Sequence, residues 1–382
     1  FVHVVREDPR RAGMLFAGTD NAVWWSLDDG AHWTKLRLDM PPAPVYWLVV
    51  QERFDDLVVA TYGRGFYILD DLAPLRALDA DVLAGRTVLV PPRAAYRFQR
   101  VQGIHSEASF VTGRDPRYGA DINYVLADTT LPVRLTIEDA EGRVVRRLRP
   151  TRRRGVNRVW WDLRHPSPRA PRLRTRPPGR PWVPLDGRGE RPLRSWDLDL
   201  VGGQQGPLAV PGVYTVRLRV GDEEFTEPLT VLKDPWSEGS MADIEAQVAL
   251  SLRMRDQLDT IADLIDRMEW ARVQLEDVQG ALAGAEGAQA LADEARRVEA
   301  RAVEVEGALF DVHLTGARED AFRSPMKLYG RFSALASDVG ANSADFAPTE
   351  AQRQVHAVLS ERLERARAAI DAFFAEDVAR LN

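Results

Sequence analysis

One pattern of residues occurs twice in this chain. Leu15-Phe16-Ala17-Gly18-Thr19, followed by Val23-Trp24-Trp25-Ser26-Leu27-Asp28-Asp29, returns as Leu57-Val58-Val59-Ala60-Thr61, followed by Gly65-Phe66-Tyr67-Ile68-Leu69-Asp70-Asp71, at an offset of 42 residues. Each copy is rich in β-branched and aromatic residues around a short turn, so each reads as two strands. Apolar runs at 1–6 and 44–51 add a strand before each copy, and 33–38 adds an outer strand after the first. A repeat of that length, written as strand, strand, turn, strand, has the period of a four-stranded β-propeller blade. A ring closes with about four blades or more. Residues 1–71 are therefore expected to be the last blades of a propeller in a longer protein, and the chain's first partner would be its own missing blades.

The first copy closes with Ser26-Leu27-Asp28-Asp29-Gly30-Ala31-His32-Trp33, which fits the Asp-box pattern Ser-x-Asp-x-Gly-x-x-Trp. The expected roles are structural: Ser26 and Asp28 bind backbone amides of the turn, Gly30 supplies a positive φ, and Trp33 packs between blades. In the second copy Leu72 replaces Gly30 and no Trp follows, so the repeat is degenerating there. Blade geometry puts the turns Asp20-Asn21 and Tyr62-Gly63-Arg64 on one rim and the Asp-box on the other. Asp20, Asn21, Tyr62 and Arg64 are thus the candidate ligand-binding residues. Glycoside hydrolysis needs two carboxylates roughly 5 to 10 Å apart. Asp20 is the only acid in these turns, and no catalytic residue is assigned.

Beyond the repeat, 72–117 reads as a connector, with a short helix around Pro74 to Leu83 and a strand at 87–90. Residues 118–233 hold six short strand-like runs with a Glu141-Gly142 turn, the pattern of an Ig-like β-sandwich carrying a Pro, Arg and Gly-rich insertion at 165–212. The insertion lacks the composition for a core and is expected to be an extended surface arm. From 234 to 382 the period becomes helical. Ser240-Met241-Ala242-Asp243 is a capping box, Pro348-Thr349 and Gln352 give a second cap signal, and apolar stripes run along three long segments. An antiparallel helical bundle or coiled coil is expected, which makes the fold class multidomain β plus α.

The formal charge of −6 conceals a basic stretch from Arg143 to Arg194 and an acidic one after Ser237. Opposite charges within one chain attract, so the basic loop is expected to be solvated or to lie on its own acidic helices. Nucleic acid is not an expected partner, because Arg does not alternate with aromatics at reader spacing. The absence of Cys excludes disulfides and thiolate sites, and the 6 His residues show no ligand spacing. No metal, no cofactor and no membrane span is expected, since no apolar run approaches roughly 20 residues. Of Trp24-Trp25 and Trp160-Trp161, one ring of each pair should be core, because neighbours in a strand face opposite sides.

The Asp-box repeat resembles that of large bacterial BNR-repeat proteins with a sortilin-like propeller, as do the phrases Ala60-Thr61-Tyr62-Gly63-Arg64-Gly65-Phe66-Tyr67-Ile68-Leu69-Asp70-Asp71 and Pro91-Pro92-Arg93-Ala94-Ala95-Tyr96-Arg97-Phe98. The resemblance continues through 122–126, 155–163 and 211–218 into the helical tail. It implies a glycosyl-hydrolase-like propeller followed by an Ig-like domain, and an exported protein, periplasmic, cell-surface or secreted. It implies a non-catalytic C-terminal part that binds or scaffolds a protein or glycan. The alternative is the supporting half of a hydrolase whose acids lie in the missing blades, and none of that family's catalytic acids matches a position here.

Overall fold

The computed structural model describes residues 1–37, 39–98, 115–193, 203–317, 320–323, 326–341 and 344–381. The end of the outer strand at Leu38, most of the connector's second half and 194–202 of the insertion lie outside them. The chain forms two compact units. One contains Phe1–Arg97, the described part of His105–Leu163, and Pro211–Lys233; the other contains the described part of Arg164–Val210 and Asp234–Asn382.

The first unit opens with two antiparallel meanders. Strands β1 (Val2–Glu7), β2 (Leu15–Thr19), β3 (Val23–Ser26) and β4 (Thr34–Lys35) form the first, and β5 (Val45–Gln51), β6 (Asp56–Thr61) and β7 (Phe66–Leu69) the second. They share one core, in which Val4, Met14, Phe16 and Val23 meet Val45, Leu48, Leu57, Val59 and Leu72. The meanders approach so closely at Gly18 that a Cβ there would lie 2.6 Å from the Val45 carbonyl oxygen. The small residue in an otherwise bulky strand is thus required by packing. On the far side of the second meander, Val49, Phe66 and Ile68 are exposed. By register they share that face with Val58 and Ala60, so this sheet is apolar on both faces.

Two short helices, α1 (Ala73–Arg76) and α2 (Ala80–Ala84), follow, and the connector then enters both sheets of the next layer. Strand β8 (Val88–Leu89) joins β10 (Ala120–Leu126) and β13 (Gly155–Trp161). Strand β9 (Ala95–Arg97) runs parallel to β17 (Glu223–Lys233) at the edge of a five-stranded sheet with β11 (Val133–Glu138), β12 (Val144–Leu148) and β16 (Gly212–Val220). Trp161 is fully buried with its ring 5.2 Å from Tyr214, whereas Trp160 is half-buried under Arg117 and Arg158. Trp24 and Trp25 do not divide in this way, and both are half-buried.

The second unit is helical. Helix α3 (Met241–Leu282) is capped as its sequence predicts, Ser240 Oγ accepting from the Asp243 N–H at 3.1 Å and Asp243 accepting from the Ser240 N–H at 2.9 Å. After a break with positive φ at Gly284 and Gly287, α4 (Gln289–Glu306) returns antiparallel, as Arg272–Glu306 and Gln279–Glu299 contacts show. A short α5 (Asp320–Arg323), then α6 (Leu328–Ala336) with a π-helical turn at Ser337–Ala341, lead to α7 (Glu350–Ala372). Pairs Gln257–Ser360 and Arg267–Asp371 set α7 parallel to α3. The arrangement is therefore not antiparallel throughout, because α6 makes an additional traverse before α7. Leu291 and Val355, which fall on the apolar stripes of α4 and α7 by helical period, are nonetheless 46% and 48% exposed.

The basic insertion is not an extended arm. Strands β14 (Arg172–Leu173) and β15 (Arg191–Pro192) pair, and Leu173 is fully buried in the helical core with Met254, Leu258 and Ile261. Arg169 binds Asp259 and Asp263, and Arg174 binds Asp266 while its guanidinium lies 4.6 Å over the Trp270 ring. Leu173 in the helical core and charge pairing with α3 together hold this segment in place.

Candidate functional site

The turn at Ser26–Trp33 is a self-contained hydrogen-bonded unit. Ser26 Oγ accepts from the Gly30 N–H at 3.0 Å and donates to Asp28 Oδ1 at 2.8 Å, and Asp28 accepts from the His32 N–H at 2.9 Å. Gly30 takes φ 85°, and Trp33 lies over it, 37% exposed. The His32 backbone, then the His32 ring and the Ser26 hydroxyl, hold the Asp28 carboxyl down to about 2. Every lone pair of use is turned toward the turn itself, and this carboxylate has no proton to give near neutrality.

The opposite rim is different. The two turns are closed by Thr19 N–H to Ala22 O at 3.0 Å and by Thr61 N–H to Gly65 O at 3.1 Å, so the second holds one more residue. The register records the insertion: Leu15 pairs with Ser26, but Leu57 pairs with Leu69, which lengthens the repeat offset from 42 to 43. Strands β1 and β5 each carry an irregularity at the matching place, between Val2 and Val4 and between Val45 and Trp47. The residues at these irregularities, His3 and Tyr46, stack at 4.3 Å with their planes 13° apart, and Tyr62 lies 5.6 Å beyond Tyr46. Asp20 Oδ1 meets His3 Nε2 at 2.7 Å.

Asp20 and Tyr62, from different meanders, are thus connected through His3 and Tyr46. Tyr46 is 51% and Tyr62 74% exposed, forming an open aromatic ledge with a carboxylate at one end. Asn21 is exposed beside Asp20 and accepts from Thr19 Oγ1 at 3.4 Å; Arg64 is exposed in the Tyr62 turn. Sequence reasoning missed His3 and Tyr46. The signal was present, for they stand 43 residues apart at the same place in the strand that opens each copy.

A cluster of perturbed carboxyls lies elsewhere, where the second meander meets β10 and β13. Strand β10 is buried along its whole length, and alternation turns Ile122 and Tyr124 to one side and Asp121 and Asn123 to the other. Asn123 donates to Asp71 at 2.8 Å and accepts from Arg158 Nε at 2.7 Å, while Arg158 also binds the Asp70 carbonyl. Arg93 spans Asp121 at 3.2 Å and Asp56 at 3.1 Å. Burial, then the charge of Asp121, pushes Asp71 up to about 6. Burial would raise Asp121 too, but the Asp71 hydrogen bond and the Arg93 and Arg158 guanidiniums outweigh it and hold Asp121 low. Below about 6 the pair holds one proton, on Asp71, which donates to Asp121. Both are almost fully buried, at 3% and 4% exposure, so the cluster is a weld between layers and not a reaction site.

A second buried cluster lies in the helical unit. Glu269 accepts from the N–H groups of Arg174 and Thr175 and from Thr175 Oγ1 at 3.0 Å, and Arg272 bridges Glu269 to Glu306. Burial, reinforced by the Glu269 charge, lifts Glu306 to about 8. The cluster fastens the basic insertion to α3 and α4.

Among the described residues, no group of three or more His, Asp or Glu could hold a metal ion, and no helix is long and apolar enough to cross a membrane. No family model matches the chain, and neither a curated protein nor a solved structure matches it.

Proposed function

We propose that this chain is the non-catalytic C-terminal part of an exported Asp-box propeller protein of the BNR-repeat type and binds a glycan at its rim. In this reading the two meanders are its last blades, the β10–β13 and β11–β17 sheets are an Ig-like support, and the helical unit is a scaffold. The observation that carries the binding role is the exposed His3–Tyr46–Tyr62 ledge ending at Asp20, assembled from matching positions of the two repeat copies. A pyranose presents C–H groups on one face and hydroxyls at its edge. The Tyr rings suit the face; Asp20, Asn21 and Arg64 suit the edge. One acid in the two turns supports binding without hydrolysis.

A second reading, the supporting half of a glycosidase-like hydrolase, draws on the exposed apolar face of Val49, Phe66 and Ile68. Another blade stacked there would cover it and could bring further acids to the rim. A glycan array, followed by mass analysis of each bound oligosaccharide, tests both. Retention of intact glycan by the chain, lost in Tyr62→Ala, is the expected result; an array with no glycan retained would refute the binding role. Cleavage of a retained glycan by this chain would refute the non-catalytic one.

A further inference from the structure

In the helical unit, the start of α6 and the middle of α7 wall an open groove of about 470 Å³. Its apolar lining comes from Ala308, Met326, Leu328, Ala366 and Ala369, with Leu328 and Ala366 buried at its base. Its rim is cationic on both walls, Lys327 and Arg331 on one and Arg362 and Arg365 on the other. No acid stands among the described lining residues, although the chain as a whole carries −6. Arg365 contacts Glu361 at 3.2 Å outside the groove, with both side chains about two-thirds exposed. Such a pair contributes little and is readily exchanged for a better anion.

We propose that this groove docks an acidic amphipathic peptide segment of a partner protein. The floor of Ala side chains lets a helical backbone approach closely, and the space is enough for the small or Leu side chains of one face. Carboxylates flanking that face would fall between the paired cations, which an arrangement of like charge on both walls favours for register as well as affinity. A polyanion without an apolar face would satisfy the rim but leave the floor wet, and for that reason a peptide is favoured over a sulfated or phosphorylated chain. This site is independent of the glycan-binding rim.

The test uses the full chain and a fluorescein-labelled peptide of about four helical turns, with Glu flanking an Ala and Leu stripe, read by fluorescence anisotropy. Binding is expected to weaken about tenfold or more in the double variant Arg362→Glu, Arg365→Glu. It should be unchanged in Arg367→Glu, an exposed residue of α7 outside the groove. Circular dichroism of each variant controls for folding. Absence of binding, equal binding of a Glu peptide lacking the stripe, tighter binding of a heparin fragment that displaces the peptide, or an equal loss in Arg367→Glu would each overturn the proposal.

Discussion

Replacing Asp71 with Asn separates the two contributions of the buried weld. Asp71 takes up its proton at about 6 in the folded chain against 3.8 when unperturbed, so folding binds a proton between those values. A carboxyl whose folded value is raised stabilises fully below the unfolded value, and that contribution is lost as pH rises through the folded one. At about 1.4 kcal/mol per unit the full contribution is about 3 kcal/mol, of which about 2.4 kcal/mol is lost between pH 4 and pH 7.5, because the unfolded carboxyl is already more than half ionised at pH 4. Asn carries no such charge, tolerates the left-handed φ of 61° found at this position, and can donate to Asp121 as the protonated acid does. It cannot accept from Asn123 while doing so, which costs about 1 kcal/mol at every pH. The variant should therefore be less stable than wild type by about 0.4 kcal/mol at pH 4 and more stable by about 2 kcal/mol at pH 7.5. Urea unfolding followed by Trp fluorescence at both pH values gives the difference directly, with the other titrating groups cancelling. A difference that is independent of pH, or that favours the variant more in acid, would refute the shared-proton arrangement.

Other consequences are simpler to state. Glu306→Gln should be nearly silent at about pH 4, below the unfolded value of 4.5, and should remove the decline in stability that wild type shows between there and about 8; thermal melts at pH 4 and 8 check this. Leu173→Ala should cost about 2–5 kcal/mol in chemical denaturation, the range for a buried Leu, because Leu173 is part of the helical core; a solvated arm would lose almost nothing. Gly18→Ala should destabilise by about 1–3 kcal/mol through overpacking against Val45, and Gly18→Ala without effect would mean that the meanders are not in contact there.

Local patterns were legible where one element decided them. The strands of both repeat copies, the caps at Ser240 and Thr349, and the helical stripes of α3 follow from period and capping chemistry alone. What could not be read was long-range partnership. The phrases 60–71, 91–98, 122–126 and 155–163 stood out in the sequence as carriers of a resemblance, and they converge on one cluster that it did not foretell: Asp71, Arg93, Asn123 and Arg158. The basic insertion looked too polar to fold; its charge allowed a place on the acidic helices, but not which carboxylates of α3, some 90 residues away in the chain, it meets. Asp20 and Tyr62 were named from the two turns, and the structure connects them through His3 and Tyr46. His3 and Tyr46 were passed over, because a lone polar or aromatic residue in an apolar strand looks like ordinary filling until its repeat partner is placed beside it.

Saturation-transfer difference NMR bears most directly on the proposed function, with the oligosaccharide that the chain retains best as ligand. Strong transfer to the ring protons of one sugar residue is predicted for wild type, and its collapse is predicted in Tyr62→Ala and Tyr46→Ala, with Asp20→Asn reducing affinity while the stacking signal persists. Transfer that survives both Tyr substitutions in folded protein would place the glycan elsewhere and contradict the account.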